Sequence, residues 1–99
     1  MKDEFVKSIG IWGQRHYDYL RKNKPMVINV MRMNGTLERY LQDTDRNAHE
    51  MFDKLMKEFA EFEGVTEQLK ASNQLSWVRR MNNIRERVTE VVNAEMVFV

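Results

Sequence analysis

From Leu37 to Phe62 the residues Leu37, Leu41, Thr44, Ala48, Met51, Leu55, Phe59 and Phe62 keep a four-and-three spacing with hardly a slip. That spacing puts every one of them on one face of a helix. Thr36 is a good N-cap for it, and the spacing carries to Glu63, where Gly64 stops it. At about 1.5 Å per residue the helix would be on the order of 40 Å long. A chain of 99 residues makes one domain. A rod of that length inside it is the backbone of a bundle or the seam of a dimer.

The remaining segments read as shorter helices. Phe5, Ile9, Trp12, His16 and Leu20 recur at three- and four-residue steps, giving a first helix from Lys2 to Lys22. Gly10 and Gly13 each cost about 1 kcal/mol inside a helix, so they mark a break or a close approach of another helix. Lys24-Pro25 ends that helix, and Pro25 suits the first turn of the next. The second helix, Pro25 to about Met33, is apolar on most sides through Met26, Val27, Val30, Met31 and Met33, which predicts a central position. Asn34-Gly35 supplies its stop. Thr66 caps a short helix over Glu67–Ala71, and Ser72-Asn73 offers a second cap. The last helix starts at Gln74 and turns Trp77, Met81, Ile84, Val88, Val91 and Val92 inward. The closing EMVFV is rich in β-formers and is expected to fray or extend. The whole reads as a single all-α domain over residues 1–99, a compact bundle of four to five helices with one long central helix.

The net charge of +1 hides an asymmetry. Residues 1–35 hold seven Lys/Arg against three Asp/Glu, whereas residues 36–63 hold four against eight. Such a chain can present one basic and one acidic face. The absence of cysteine excludes a disulfide framework, a thiol nucleophile and cysteine-ligated zinc, and fits a reducing cytosol. No apolar run approaches the roughly 20 residues needed to span a bilayer, and MKDEFVKSIG lacks the apolar core of a signal peptide. A cytoplasmic protein with no membrane partner is expected.

No constellation of catalytic residues stands out. Asp45, His49 and Asp53 share a face at four-residue steps, but HEMFD lacks the second histidine of a zincin motif. A solvated charged face is the preferred reading. There is no Gly-rich phosphate loop and no nucleophile elbow. The expectation is a protein that is not an enzyme and takes no cofactor. His16 reads as a half-buried, hydrogen-bonded histidine.

Three surfaces are candidates for binding. The acidic face of the long helix carries Asp45, Glu50, Asp53, Glu58 and Glu61. The stretch WVRRMNNIRERV places Arg79, Asn83 and Arg87 on the outer face, a polar ridge with Asn82 at the edge of the apolar sector. Asparagine is a mediocre helix former, so the pair should have a compensating partner, and Asn82 is expected to bond to a neighbouring helix or loop. The basic N-terminal segment offers Arg15, Arg21, Lys22, Lys24 and Arg32 as nucleic-acid contacts, with Tyr17 and Tyr19 between them.

Four stretches together, IGIWGQRHYDYLRKNKP, MNGTLERYLQDTDRNAHEMFDKLM, EGVTEQLKASNQLSWVRRMNNIRERVTEVV and EMVFV, resemble the TnpV family. The most specific pieces are Gly64-Val65-Thr66-Glu67-x-Leu69-Lys70 and Trp77-Val78-x-Arg80-Met81-Asn82-Asn83-Ile84-Arg85. The likeness runs from about residue 9 to residue 99. It implies a small protein encoded by transposons and integrative elements of Gram-positive gut bacteria, with no catalytic residues to carry over. Two functions follow as expectations. One is a protein-binding module that modulates a nucleic-acid enzyme: the element's own transposase or recombinase, or a host CRISPR nuclease inhibited by an acidic face that imitates phosphate. The other is a DNA-binding accessory protein of transposition. A homodimer through the helices is a further expectation.

Overall fold

A computed structural model describes residues 3–99. A 3-10 turn, Glu4–Ser8, leads into five α-helices: α1 (Ile11–Asn23), α2 (Pro25–Asn34), α3 (Leu37–Phe62), α4 (Glu67–Ser72) and α5 (Gln74–Val92). A π turn, Asn93–Val97, closes the chain. No strand occurs among the described residues. The all-α bundle around a long helix is as expected, but it is drawn out along that helix. The molecule measures 55 × 21 × 17 Å, and its radius of gyration is 17.0 Å, against about 13 Å for a compact domain of this length.

The stops act as the sequence implies. Gly35 takes φ 74° and Gly64 φ 71°, the left-handed region where glycine carries no Cβ penalty. The Thr66 hydroxyl accepts from the Leu69 N–H at 3.3 Å, and Asn73 Oδ1 accepts from the Ser76 N–H at 3.1 Å. Thr36 differs. Its hydroxyl does not cap α3, and instead donates to the Met31 carbonyl at 3.5 Å.

Two apolar clusters share α3. One gathers Trp12, Ala48, Val65, Ile84, Val88, Val92 and Val97 between α1, the distal part of α3, and α5. The other gathers Ile9, Leu20, Ile28, Leu37 and Leu41. His16 is buried, with 1 % of its surface exposed. Its Nδ1 lies 2.7 Å from the Val97 carbonyl, and its Nε2 lies 2.7 Å from the Tyr40 hydroxyl. A carbonyl only accepts, so Nδ1 carries the proton, and in the neutral ring Nε2 accepts from Tyr40. One ring thereby ties α1, α3 and the chain's end together.

Three expectations need correction. The first helix does not run unbroken from Lys2, since Gly10 is extended and separates the 3-10 turn from α1. In EMVFV, residues 95–97 do not fray or extend but join the π turn. Its Val97 is buried, and the widened turn presents the Val97 carbonyl to His16. α2 is not central either. Ile28 is its one buried residue, while Met26, Val30 and Met33 are 70 %, 51 % and 86 % exposed. Its apolar residues outnumber the surfaces available to cover them.

Candidate functional site

The five acidic residues of the candidate α3 face, Asp45, Glu50, Asp53, Glu58 and Glu61, divide into three groups. Asp45 faces α1. Its Oδ1 accepts from the Gly13 N–H at 3.0 Å, in the first turn of a helix whose N-cap, Gly10, has no side chain to do so. A Cβ on Gly10 would come within 2.6 Å of the Asp45 carboxylate oxygens. One on Gly13 would come within 3.0 Å of the Leu41 carbonyl. The two glycines thus admit a cap supplied by another helix, which also complements the positive end of the α1 dipole. Both roles considered for Gly10 and Gly13, break and close approach, are realised. Asp53 points out, but it pairs with His49 at 3.2 Å. Among the described residues no cluster of His, Cys, Asp and Glu is arranged to hold a metal.

Glu50, Glu58 and Glu61 form the third group. They are exposed and make no hydrogen bond or ion pair with the described residues. Glu50 and Glu58 stand on an open groove of about 400 Å³ whose apolar lining is Met51, Leu55 and Met96. Asn47 and Lys54 complete its walls. Spacing alone assigned Met51 and Leu55 to the core face, yet both are half-buried because α5 and the π turn cover only part of that face. Met96 had no signal in the sequence, since its place depends on the closing turn.

Two residues of the polar ridge, Asn83 and Arg87, tie α5 to the end of α3. Arg87 donates from Nη1 and Nη2 to the two Glu63 carboxylate oxygens at 2.7 and 2.8 Å. Asn83 Oδ1 accepts from Arg87 Nε at 2.9 Å and holds the guanidinium in that orientation. The guanidinium also lies 5.6 Å from the Phe59 ring centre. This fork holds the Glu63 carboxyl below the usual glutamate range, while burial opposes the shift. Asn82 does not reach a neighbouring helix or loop. It is exposed and accepts from Arg85 on its own helix at 3.3 Å. Arg79 is exposed beside them. The Arg87–Glu63 pairing lay outside the expectations. The glycine turn at Gly64, which folds α5 back along α3, was the available signal.

The basic segment is partly occupied. Arg32 forks onto the Asp3 carboxylate and donates to Asn29 Oδ1 at 3.1 Å. Tyr17 donates to the same Asp3 carboxylate at 2.6 Å. Burial first, then that bond, raises the Tyr17 phenol above its ordinary range. Arg15 lies 5.0 Å from the Trp12 ring centre. Arg21 lies 5.5 Å from that of Tyr17 and 3.8 Å from Asp18. Lys22 and Lys24 are exposed where α1 meets α2, without a partner among the described residues. No helix among the described residues is long and apolar enough to cross a membrane.

No curated protein and no solved structure is significantly similar to the chain. The model of one family, the transposon-encoded protein TnpV, matches residues 1–97. With nearly its whole length matched, the chain belongs to the TnpV family of transposon-encoded proteins.

Proposed function

We propose that this protein is a non-catalytic accessory factor of its mobile element that binds and modulates a nucleic-acid enzyme through the α3 groove. The observation that carries the reading is that Glu50 and Glu58, which have no partner among the described residues, flank an apolar floor of Met51, Leu55 and Met96. Such a surface suits a partner segment that inserts an apolar side chain and sets Lys or Arg against the two carboxylates. The most concrete form is inhibition of a host CRISPR nuclease, whose phosphate-binding arginines and lysines would accept these carboxylates in place of nucleic acid. The element's own transposase or recombinase is the other target of the same chemistry. A cytoplasmic site of action fits both targets. DNA binding by the basic segment has less support, because Arg32 is committed to Asp3 and, among the described residues, only Lys22 and Lys24 of the five cations lack a partner.

The test is a cleavage assay with a purified CRISPR nuclease and with the element's transposase, each titrated with wild-type protein and with a Glu50→Lys/Glu58→Lys/Glu61→Lys variant. Wild type should change the rate of one enzyme, and the variant should lose the effect while its helical circular dichroism is unchanged. A folded variant with full effect on either enzyme would overturn the assignment of the groove.

A further inference from the structure

α2 carries an apolar face that none of the described residues covers. Met26, Val30 and Met33 stand at i, i+4 and i+7 and so form one stripe, and all three are more than half exposed. Val27, 40 % exposed, borders it. The opposite side of α2 is the one that packs, through Ile28 and Met31. The sole charged residue of α2 is Arg32, which is bound to Asp3 and Asn29. The stripe is thus apolar and uncharged along its whole length.

We propose that a second copy of this chain covers the stripe, the two α2 helices lying antiparallel about a twofold axis at Val30. Charge decides the direction. Each α2 begins at Lys24-Pro25, with Lys22 and Lys24 exposed at the positive end of the helix dipole. A parallel pair would set those ends against each other. An antiparallel pair sets each against the partner's C-terminal carbonyls, where cations are favoured. An uncharged stripe is also its own complement, as a twofold interface requires, whereas a charged partner would find no counter-charge along it. Size sets the strength. A ten-residue helix is about 15 Å long and cannot bury the roughly 1,600 Å² of a standard interface. The dimer is therefore reversible and concentration-dependent. It leaves the α3 groove out of the interface, so its failure would not touch the groove reading.

Sedimentation equilibrium over a concentration series to the millimolar range tests it. The mass should rise from one chain of 11.9 kDa toward two. A Val30→Glu/Met33→Glu variant should remain a single chain at all concentrations with unchanged helical circular dichroism, since both positions are exposed. The chain has no cysteine, so introduced thiols report register cleanly. Under mild oxidation Val30→Cys should cross-link with itself, and Met26→Cys/Met33→Cys should cross-link only as the double variant. A single chain throughout would overturn the proposal, as would a dimer indifferent to the glutamates. Self-cross-linking of Met26→Cys as fast as Val30→Cys would overturn the antiparallel arrangement.

Discussion

The Asp45 carboxylate on α3 caps the first turn of α1 by accepting the Gly13 N–H at 3.0 Å. A residue that reads as part of an acidic binding face is therefore spent inside the fold. Asp45→Ala should destabilise the protein by about 1 kcal/mol, the usual cost of a lost N-cap. Gly13→Ala should also destabilise it, by on the order of 1–2 kcal/mol, because crowding against Ile9 and the Leu41 carbonyl outweighs the propensity gain of alanine. Urea unfolding curves check both. A Gly13→Ala variant more stable than wild type would refute the close approach.

Tyr40→Phe removes the hydroxyl that donates to buried His16 Nε2. It leaves that nitrogen without a partner, at a cost of about 1–3 kcal/mol. Chemical denaturation gives the value, and loosening of the C-terminal turn should appear as faster amide exchange near Val97.

Arg87 holds the Glu63 carboxyl below its ordinary value of 4.5. A carboxyl whose pKa is depressed in the folded state contributes stability above its unfolded pKa. That contribution is lost as the pH falls through the lower, folded value. Wild-type stability should therefore decline below about pH 4.5 more steeply than that of Glu63→Gln. Thermal melts at a series of acid pH values would show it, and identical slopes would contradict it.

Much of this fold was legible in residue spacing and punctuation. The run of α3, the stops at Gly35 and Gly64, and the caps Thr66 and Asn73 are local chemistry, and the structure follows them, although Phe62, the last of the α3 series, is 92 % exposed. What was not legible depends on contacts between distant segments. α2 looks central because its residues are apolar all round, but burial depends on what packs against it, and only the side bearing Ile28 and Met31 is met. EMVFV has β-forming residues, yet the bond from His16 to the Val97 carbonyl and the burial of Val97 hold it in a turn. The residues of the acidic face take different local partners for the same reason. Wheel position sets Asp53 beside His49, but it does not reveal that Asp45 meets a glycine pair on α1. The groove needed Met96, which only the closing turn brings to α3.

The central claim is that the protein works on a protein through its α3 groove and not on DNA through its basic segment. Fluorescence anisotropy of a labelled duplex, titrated with purified protein across a salt series, tests this most directly. The expected result is no binding even at low salt, with Lys22→Gln/Lys24→Gln indistinguishable from wild type. Tight binding that falls steeply with salt, as counterion release requires, and that weakens in the double variant would contradict it.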